Sequence, residues 1–284
     1  MERPIKKMIL VLAVIFLSGA VLCQSQKLMT FNIRYYNQGD QEDHWDNRKE
    51  GIIELIKYYE PSIFGIQEGL SNQVEYLDSC LREYSYIGIG REDGKKKGEY
   101  SAIFYNTKKY RVIEESTFWL SETPDRVSVG WDAALERICT YGLFEDLANG
   151  QRIWILNTHF DHRGNVAREN SAELILSRVR EINSDNLPLV LMGDLNLTPD
   201  AEPIQLLKNG LDDAMEISKK PLYGPSGTFN GFSDRMITSK LDYFFTQNLD
   251  VLSYAHIDDR LDNNRHISDH LPVLIEINFP NAGK

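Results

Sequence analysis

The sequence predicts an α/β sandwich, in which β-sheets pack against a smaller number of helices. Short apolar segments rich in β-branched residues recur along the chain, and three further segments space their apolar residues for one helical face. Strands that outnumber the helices favour a sandwich over a barrel of alternating units.

Eight apolar segments are predicted to be strands. In chain order they are residues 27–33, 62–67, 101–106, 138–144, 152–160, 187–196, 240–245 and 271–277. Helical spacing covers residues 48–59, 72–82 and 165–182, and in the last of these Ala172, Ile175 and Val179 share one face. Since no linker, repeat or low-complexity tract divides these elements, we expect one domain over residues 26–284.

The first residues of the chain have the pattern of an export signal. Arg3, Lys6 and Lys7 precede the apolar run MILVLAVIFLSGAVL. We therefore predict a signal peptide over residues 1–25 and a periplasmic or extracellular protein. A membrane anchor is the first alternative, but the run is shorter than the roughly 20 residues that a span needs. The second is a lipid anchor on Cys23, which follows Leu22 where a small residue would be expected.

Composition limits the partners of the chain. It is 42% hydrophobic and 26% charged, as in ordinary globular domains, and its formal net charge is −11 at pH 7. An acidic chain opposes general adhesion to nucleic acid, because that adhesion depends on Lys and Arg side chains. Any anionic substrate must therefore be held locally. Beyond the predicted signal peptide, Cys80 and Cys139 are too few for a disulfide framework, and the sequence leaves their pairing open.

Polar residues stand repeatedly at the ends of predicted strands. They are Asn32, Gln67 with Glu68, His159 with Asp161, Asp194 with Asn196, and Asp269 with His270. Taken singly, each has a structural explanation, such as a turn or helix cap for the amides and carboxylates and a core position for the histidine. Loops at strand ends hold side chains in fixed geometry and leave them open to a ligand. Their co-occurrence therefore favours one shared site.

The chemistry of this set suits a divalent cation and a phosphate ester. Glu68, Asp194, Asp269 and the amides offer oxygen ligands without a Cys/His cluster, which favours Mg²⁺ (or Mn²⁺) over structural zinc. The histidines are then free for proton transfer or phosphate contact. Hydrolysis needs a deprotonated water, neutralised phosphate oxygens and help for the leaving oxygen, and these residue types supply all three.

Seven segments together resemble the endonuclease/exonuclease/phosphatase superfamily, which includes deoxyribonuclease I, abasic-site endonucleases, neutral sphingomyelinases and inositol-polyphosphate 5-phosphatases. The resemblance runs from about residue 27 to about residue 279. It implies a four-layer sandwich of two mostly antiparallel β-sheets flanked by helices, with the site at one end. The segments, in the order of the family, are TFNIRYY, GIQEGL, GEYSAIFY, NTHFDH, LMGDLN, KLDYFF and SDHLPV.

The resemblance implies a set of residues that hold the metal and the phosphate. Glu68 is expected to be the principal metal ligand, with Asn32 beside it touching metal or phosphate, and Asp269 reaching the metal directly or through water. Asn196 is expected to donate a hydrogen bond to a phosphate oxygen. Arg137 resembles a family arginine near the phosphate, with a surface salt bridge as the alternative.

The resemblance also implies the residues that move protons. Asp194 is expected to orient or deprotonate the attacking water. His270 would contact the scissile phosphate, with Asp242 fixing the tautomer and orientation of its ring. His159 would give a proton to the leaving group, with Glu99 as its orienting partner.

Three further features allow two interpretations each. Trp119 and Trp131 would either wall a substrate pocket or belong to the core, and the run from Lys95 to Lys97 would be either a basic lip or a solvated loop. His162 would be either a substrate contact or a surface residue.

We therefore predict an exported, divalent-metal-dependent phosphoester hydrolase, either a phosphodiesterase or a phosphatase, in which water attacks phosphorus. A small-molecule or lipid-like substrate is favoured, and a secreted nuclease is the alternative. A non-catalytic binding module is a third interpretation, but the retained Glu68, Asp194 and His270 count against it. We expect a monomer without a stable membrane span.

Overall fold

Strands with apolar residues on both faces form the centre of the molecule. In the computed structural model, which describes residues 25–280, the first strand points Leu28 to one face and Met29 and Phe31 to the other, and each of the three is at most 1% exposed. A strand covered on both faces needs a layer on each side. The chain provides these layers as two sheets with helices on their outer faces.

The described residues contain twelve strands and four α-helices. The strands are β1 Gln26–Asn32, β2 Ile63–Gln67, β3 Tyr84–Ile87, β4 Ile103–Asn106, β5 Tyr110–Trp119, β6 Ile138–Asp146, β7 Arg152–His159, β8 Leu189–Asp194, β9 Asp212–Asp213, β10 Asp242–Gln247, β11 Asp250–His256 and β12 Val273–Asn278. The helices are α1 Trp45–Tyr59, α2 Ser71–Cys80, α3 Asn165–Ile182 and α4 Glu202–Gly210, and a 3₁₀ segment lies at Gln38–Asp43.

Each sheet has six strands and is mostly antiparallel. The first has the order β11-β12-β1-β2-β4-β3, and the second has the order β5-β6-β7-β8-β10-β9. One parallel pair lies inside each sheet, β1 with β2 and β7 with β8, and the other pairs are antiparallel. This confirms the predicted sandwich of two mostly antiparallel sheets.

Three apolar clusters hold the four layers together. One lies between the two sheets and contains Ile63 and Val190. A second joins the first sheet to α1 and α2, and a third joins the second sheet to α3 and α4. In α3 the predicted face formed by Ala172, Ile175 and Val179 is buried in this third cluster, so burial of that stripe fixes the helix on the sheet.

The strand register brings the polar strand ends together at one end of the sandwich. Asn32 pairs with Gln67 across β1 and β2. Asp194 pairs with His159 across β7 and β8 and with Asp242 across β8 and β10. The site residues of the two sheets thus lie at the same end of the sandwich.

A glycine permits the close strand approach just before Asp194. Gly193 has φ +145°, and a Cβ at this position would lie 1.9 Å from the carbonyl oxygen of Thr158. Only glycine fits such a position, so the GD pair of LMGDLN lets β8 approach β7 where His159 and Asp194 lie side by side.

All eight predicted strands are present, and the three predicted helices are confirmed with shifts of a few residues at their ends. Strands β3, β5, β9 and β11 and helix α4 were not predicted. Cys80 and Cys139 are both free thiols. The predicted signal peptide lies outside the described residues. Within residues 25–280, the helices are all too short or too polar to cross a bilayer.

Candidate active site

A cavity of about 580 Å³ opens at the end of the sandwich where the polar strand ends meet. Eight of the residues predicted for the site line this cavity. They are Glu68, Glu99, Arg137, His159, Asp194, Asn196, Asp269 and His270. The rest of its wall is formed by Arg34, Tyr35, Leu135, His162, Phe229 and Leu241. The sequence-predicted residues are therefore close together in space.

Asp194 lies at the centre of the site. Its Oδ1 accepts a hydrogen bond from the backbone N–H of Asn196 (2.9 Å), and its Oδ2 accepts one from the side-chain amide of Asn32 (2.9 Å). The same Oδ2 lies 3.4 Å from Nε2 of His159 and 3.6 Å from Nε2 of His270. Burial raises the pKa of this carboxyl to about 7.

His270 forms a hydrogen-bonded pair with Asp242. Its Nδ1 lies 2.8 Å from Oδ2 of Asp242, which β10 places opposite Asp194. Burial lowers the pKa of His270, but the charges of Asp242 and Asp194 outweigh it and hold the pKa well above its ordinary value. The imidazole is therefore protonated near neutral pH, with its Nε2–H toward Asp194. The ring of Phe229 packs on it, with 5.0 Å between the ring centroids.

His159 has a different environment. The side-chain N–H₂ of Asn196 donates to the carbonyl of Phe160 (3.0 Å) and to Nε2 of His159 (2.9 Å), so this ring nitrogen is an acceptor. Burial, followed by the charges of Arg137 and Arg91, holds the pKa of His159 well below its ordinary value. His159 is therefore neutral.

The predicted orienting contact between Glu99 and His159 is not formed as a hydrogen bond. Oε2 of Glu99 lies 3.8 Å from Nδ1 of His159, and that nitrogen has no hydrogen-bond partner among the described residues. Arg91 instead binds both oxygens of Glu99, at 2.7 and 2.9 Å. The reason is geometric, since a planar guanidinium matches a carboxylate with two parallel hydrogen bonds.

Glu68 and Asp269 offer carboxylate oxygens to the cavity. Oε1 of Glu68 accepts from Nδ2 of Asn32 (3.1 Å), and Oε2 accepts from the backbone N–H of Tyr35 (3.1 Å). Glu68 is the first residue after β2. Its φ of +63° is an uncommon backbone conformation for a residue other than glycine. Burial raises the pKa of Asp269 to about 6. These oxygen donors fit a hard divalent cation.

Asn32 lies behind these carboxylates. It is fully buried, and its amide links Glu68 to Asp194 while its Oδ1 accepts from the backbone N–H of Arg34 (3.0 Å). The structure thus shows it positioning both acids, and its contact with metal or phosphate stays a prediction. The same holds for the phosphate contact of Asn196, whose two amide hydrogens already have acceptors.

A second group could also hold a cation. One ligand atom each of Asp194, Asp242 and His270 lies within 4.8 Å of the others. In this group, however, one ligand atom of His270 and one of Asp242 are already engaged in the hydrogen bond between these two residues.

Two arginines supply positive charge to the cavity wall. Arg137 is buried, pairs with Asp161 (3.3 Å) and contacts Nδ1 of His162 (3.0 Å), while its Nη1 has no hydrogen-bond partner among the described residues. It is therefore not part of a surface salt bridge. Arg34 was not singled out from the sequence, although it stands two positions after Asn32 in TFNIRYY; its contacts with Glu68 and Asp269 are long-range in sequence.

The remaining candidate segments lie outside the cavity. Trp119 is buried and donates its indole N–H to the carbonyl of Arg91 (2.8 Å), so it supports the residue that binds Glu99. Trp131 lies in a separate pocket beside α3 and α4. Lys96 and Lys97 are exposed and pair with Glu75 and Glu92, as expected of a solvated loop.

The chain is similar to known proteins along most of its length. The model of the Endonuclease/Exonuclease/phosphatase family matches residues 29–270. The structure is similar to that of a mannosyl-6-phosphatase of Bacteroides thetaiotaomicron VPI-5482, with a TM-score of 0.87 and 37% identity over 90% of this chain and all of that one. An uncharacterized protein of Acanthamoeba polyphaga mimivirus is 28% identical over 88% of this chain and 98% of its own length.

A more distant similarity leads to a nuclease. The 3'-5' exoribonuclease subunit Ccr4 of the CCR4-Not complex of Mycosarcoma maydis is 22% identical over 58% of this chain. The match spans only 31% of the length of that subunit.

Proposed function

The chain belongs to the Endonuclease/Exonuclease/phosphatase family, whose members are hydrolases of phosphoester bonds, and on that premise we propose that it hydrolyses a small phosphate ester with the help of a divalent cation. One observation supports this most directly. The carboxylates of Glu68, Asp269 and Asp194 and the paired imidazole of His270 converge on one cavity. They would supply a cation site, a base and a hydrogen-bond donor to the phosphate of a single ester.

Glu68 and Asp269 are the residues that would hold the cation, which we propose to be Mg²⁺ or Mn²⁺. Their oxygens suit a hard cation, and unlike the group of Asp194, Asp242 and His270 they need not break a hydrogen bond between imidazole and carboxylate. When bound, the cation would neutralise charge on the phosphate oxygens.

Asp194 is suited to act as the base. Burial raises the pKa of this carboxyl, so its ionised form is more basic than that of an exposed aspartate and better able to accept a proton from water. Asn32 and the backbone of Asn196 hold its two oxygens in place. His270, kept protonated by Asp242, would donate its Nε2–H to a phosphate oxygen.

The size and charge of the cavity support a small substrate. Its volume of about 580 Å³ lies within the range of small-molecule sites, roughly 300–1,000 Å³. Arg137 lines the cavity, and its positive charge would attract a phosphate group. The similarity to the mannosyl-6-phosphatase supports a sugar phosphate as the substrate class.

A secreted nuclease is the alternative, and the match to the exoribonuclease Ccr4 is what favours it. The formal net charge of −11 argues against it, because strand binding relies on rows of basic residues.

A substrate panel tests the proposal. Turnover of mannose 6-phosphate, other sugar phosphates, inositol phosphates, bis-p-nitrophenyl phosphate, sphingomyelin, plasmid DNA and RNA would be measured with Mg²⁺ or Mn²⁺, with and without EDTA. We expect the wild type to release phosphate from sugar phosphates in an EDTA-sensitive reaction, and we expect the Asp194→Asn variant to release none. Faster cleavage of DNA or RNA would favour the nuclease. No EDTA-sensitive turnover of any substrate would contradict both and favour a binding module.

We also propose that residues 1–25 are removed on export and that the mature protein is a monomer. The basic residues and apolar run at the start of the chain support export. N-terminal sequencing of protein from the periplasm or medium, followed by light scattering, tests both. An intact N-terminus in the cytoplasmic fraction alone would contradict export.

A further inference from the structure

The side chain of Arg34 lies against both proposed cation ligands. Its Nη1 is 3.9 Å from Oε2 of Glu68 and 3.7 Å from Oδ2 of Asp269. These distances are too long for hydrogen bonds but short for charges, so the guanidinium interacts with both carboxylates at once. A cation bound to these carboxylate oxygens would therefore lie close to the positive charge of Arg34.

Arg34 is held in this position by contacts on several sides. Asp40 binds Nε and Nη2, both at 3.0 Å, which leaves Nη1 directed at the cavity. The backbone is fixed as well, because its N–H donates to Oδ1 of Asn32 (3.0 Å) and its carbonyl accepts from Nε2 of Gln73 (3.0 Å). Arg34 has φ +58°, so the turn after β1 adopts an unfavourable conformation that these contacts maintain.

We propose that Arg34 sets the cation affinity of the site by competing with the divalent cation for the carboxylates of Glu68 and Asp269. This inference rests on the proposed cation site. A like charge a few ångströms from a cation opposes its binding, and the effect is strong where burial limits screening. The positive charge of Arg34 thus partly neutralises the two carboxylates and keeps the affinity of the site low enough for the cation to exchange. Arg34 acts through these ligands, as a positioning residue.

Charge-neutral variants test the inference without substrate. The affinity for Mn²⁺ would be measured by electron paramagnetic resonance of the free ion and by calorimetry for the wild type, Arg34→Met and Arg34→Gln. We expect both variants to bind Mn²⁺ about tenfold more tightly. Arg34→Lys keeps the charge and should stay within about threefold of the wild type.

Arg265 provides a matched control. It pairs with Glu42 and Asp43, which neighbour Asp40 in the same 3₁₀ segment, and it contacts neither Glu68 nor Asp269. Arg265→Gln should leave Mn²⁺ affinity unchanged. The melting temperature gives a second measurement, since Arg34→Met leaves the two acids unbalanced and should gain more stability from Mn²⁺ than the wild type does.

The outcomes separate the inference from the proposed function. Equal or weaker Mn²⁺ binding by both neutral variants would overturn the role of Arg34 and leave the hydrolase proposal in place. A gain as large in Arg265→Gln would also overturn it, because the effect would then be one of general charge. If neither the wild type nor any variant bound Mn²⁺ or Mg²⁺, the inference and the proposed cation site would both be wrong.

Discussion

His270 and His159 are buried imidazoles that lie near the same carboxylate oxygen, and their surroundings make one protonated and the other neutral. Nε2 of His270 lies 3.6 Å from Oδ2 of Asp194, and Nε2 of His159 lies 3.4 Å from it. Asp242 at 2.8 Å holds a proton on the first ring. Around the second ring, burial and then the positive charges of Arg137 and Arg91 hold the pKa of His159 well below its ordinary value, and Arg91 also binds both oxygens of the nearby Glu99.

The difference shows that a carboxylate near a histidine does not by itself make a charged pair. Burial lowers the pKa of both rings, so the balance of charges around each ring decides its protonation. Asp242 hydrogen-bonds to His270, and none of the arginines in the described part of the chain shares that oxygen. Glu99 instead forms an ion pair with Arg91, so its negative charge is already balanced and stabilises a protonated His159 less. The site thus has one imidazole suited to donate to phosphate and one suited to accept from a neighbour.

The strongest test of this comparison removes the charged imidazole. His270→Ala should lower kcat/KM by about 10⁴-fold, because the site loses a charged donor to the phosphate. Steady-state kinetics on the preferred substrate of the panel measures this, with circular dichroism to establish folding. His44→Asn is the control, since His44 caps α1 and does not line the cavity, and Asn retains the cap. Activity of His270→Ala within tenfold of the wild type would refute the assignment.

A milder variant would make the environment of His270 more like that of His159. Asp242→Asn keeps the shape of the pair but removes the charge that raises the pKa of His270. The ring should then lose its proton at a lower pH, and kcat/KM should fall about 100-fold at neutral pH. An NMR titration of the His270 ring in both proteins measures the shift directly. An unchanged titration would mean that Asp242 does not control the charge of His270.

A third variant alters the cation site and leaves both imidazoles in place. Glu68→Gln should raise the Mn²⁺ concentration needed for half-maximal rate about 30-fold, since a neutral amide is a weaker ligand than a carboxylate. The rate at saturating Mn²⁺ should fall much less. Glu75→Gln changes an exposed glutamate paired with Lys96 and serves as the control. An unchanged Mn²⁺ requirement in Glu68→Gln would count against its role as a ligand.

Sequence predicted the interior of both sheets but not their borders. The eight predicted strands are the eight inner strands, and the four that were missed, β3, β5, β9 and β11, are the edge strands of the two sheets. An inner strand is covered on both sides and shows a continuous apolar run. Edge strands carry polar residues that limit aggregation, as in β5 with Glu114 and Glu115 both exposed. Their sequences therefore lack the apolar signal on which the prediction depended.

The same distinction applies to the site. Residue types at strand ends were sufficient to predict which side chains line the cavity, because strand register alone brings them together. The choice of hydrogen-bond partners was not predictable. That Arg91 binds Glu99, and that Arg34 contacts Glu68 and Asp269, follows from loop conformations that no local pattern encodes. Sequence reasoning thus identified the members of the site better than their pairings.

The smallest expected effect concerns the neutral imidazole and decides what it does. His159→Gln should lower kcat/KM only about tenfold, because His159 accepts a hydrogen bond from Asn196 and so positions the residues around Asp194. A sugar phosphate needs a proton on its leaving oxygen, whereas p-nitrophenyl phosphate does not. If His159 only positions its neighbours, the loss should be equal on both substrates. A much larger loss on the sugar phosphate would show that His159 gives a proton to the leaving group, as the resemblance implies, which requires that its ring takes up a proton once the substrate is bound.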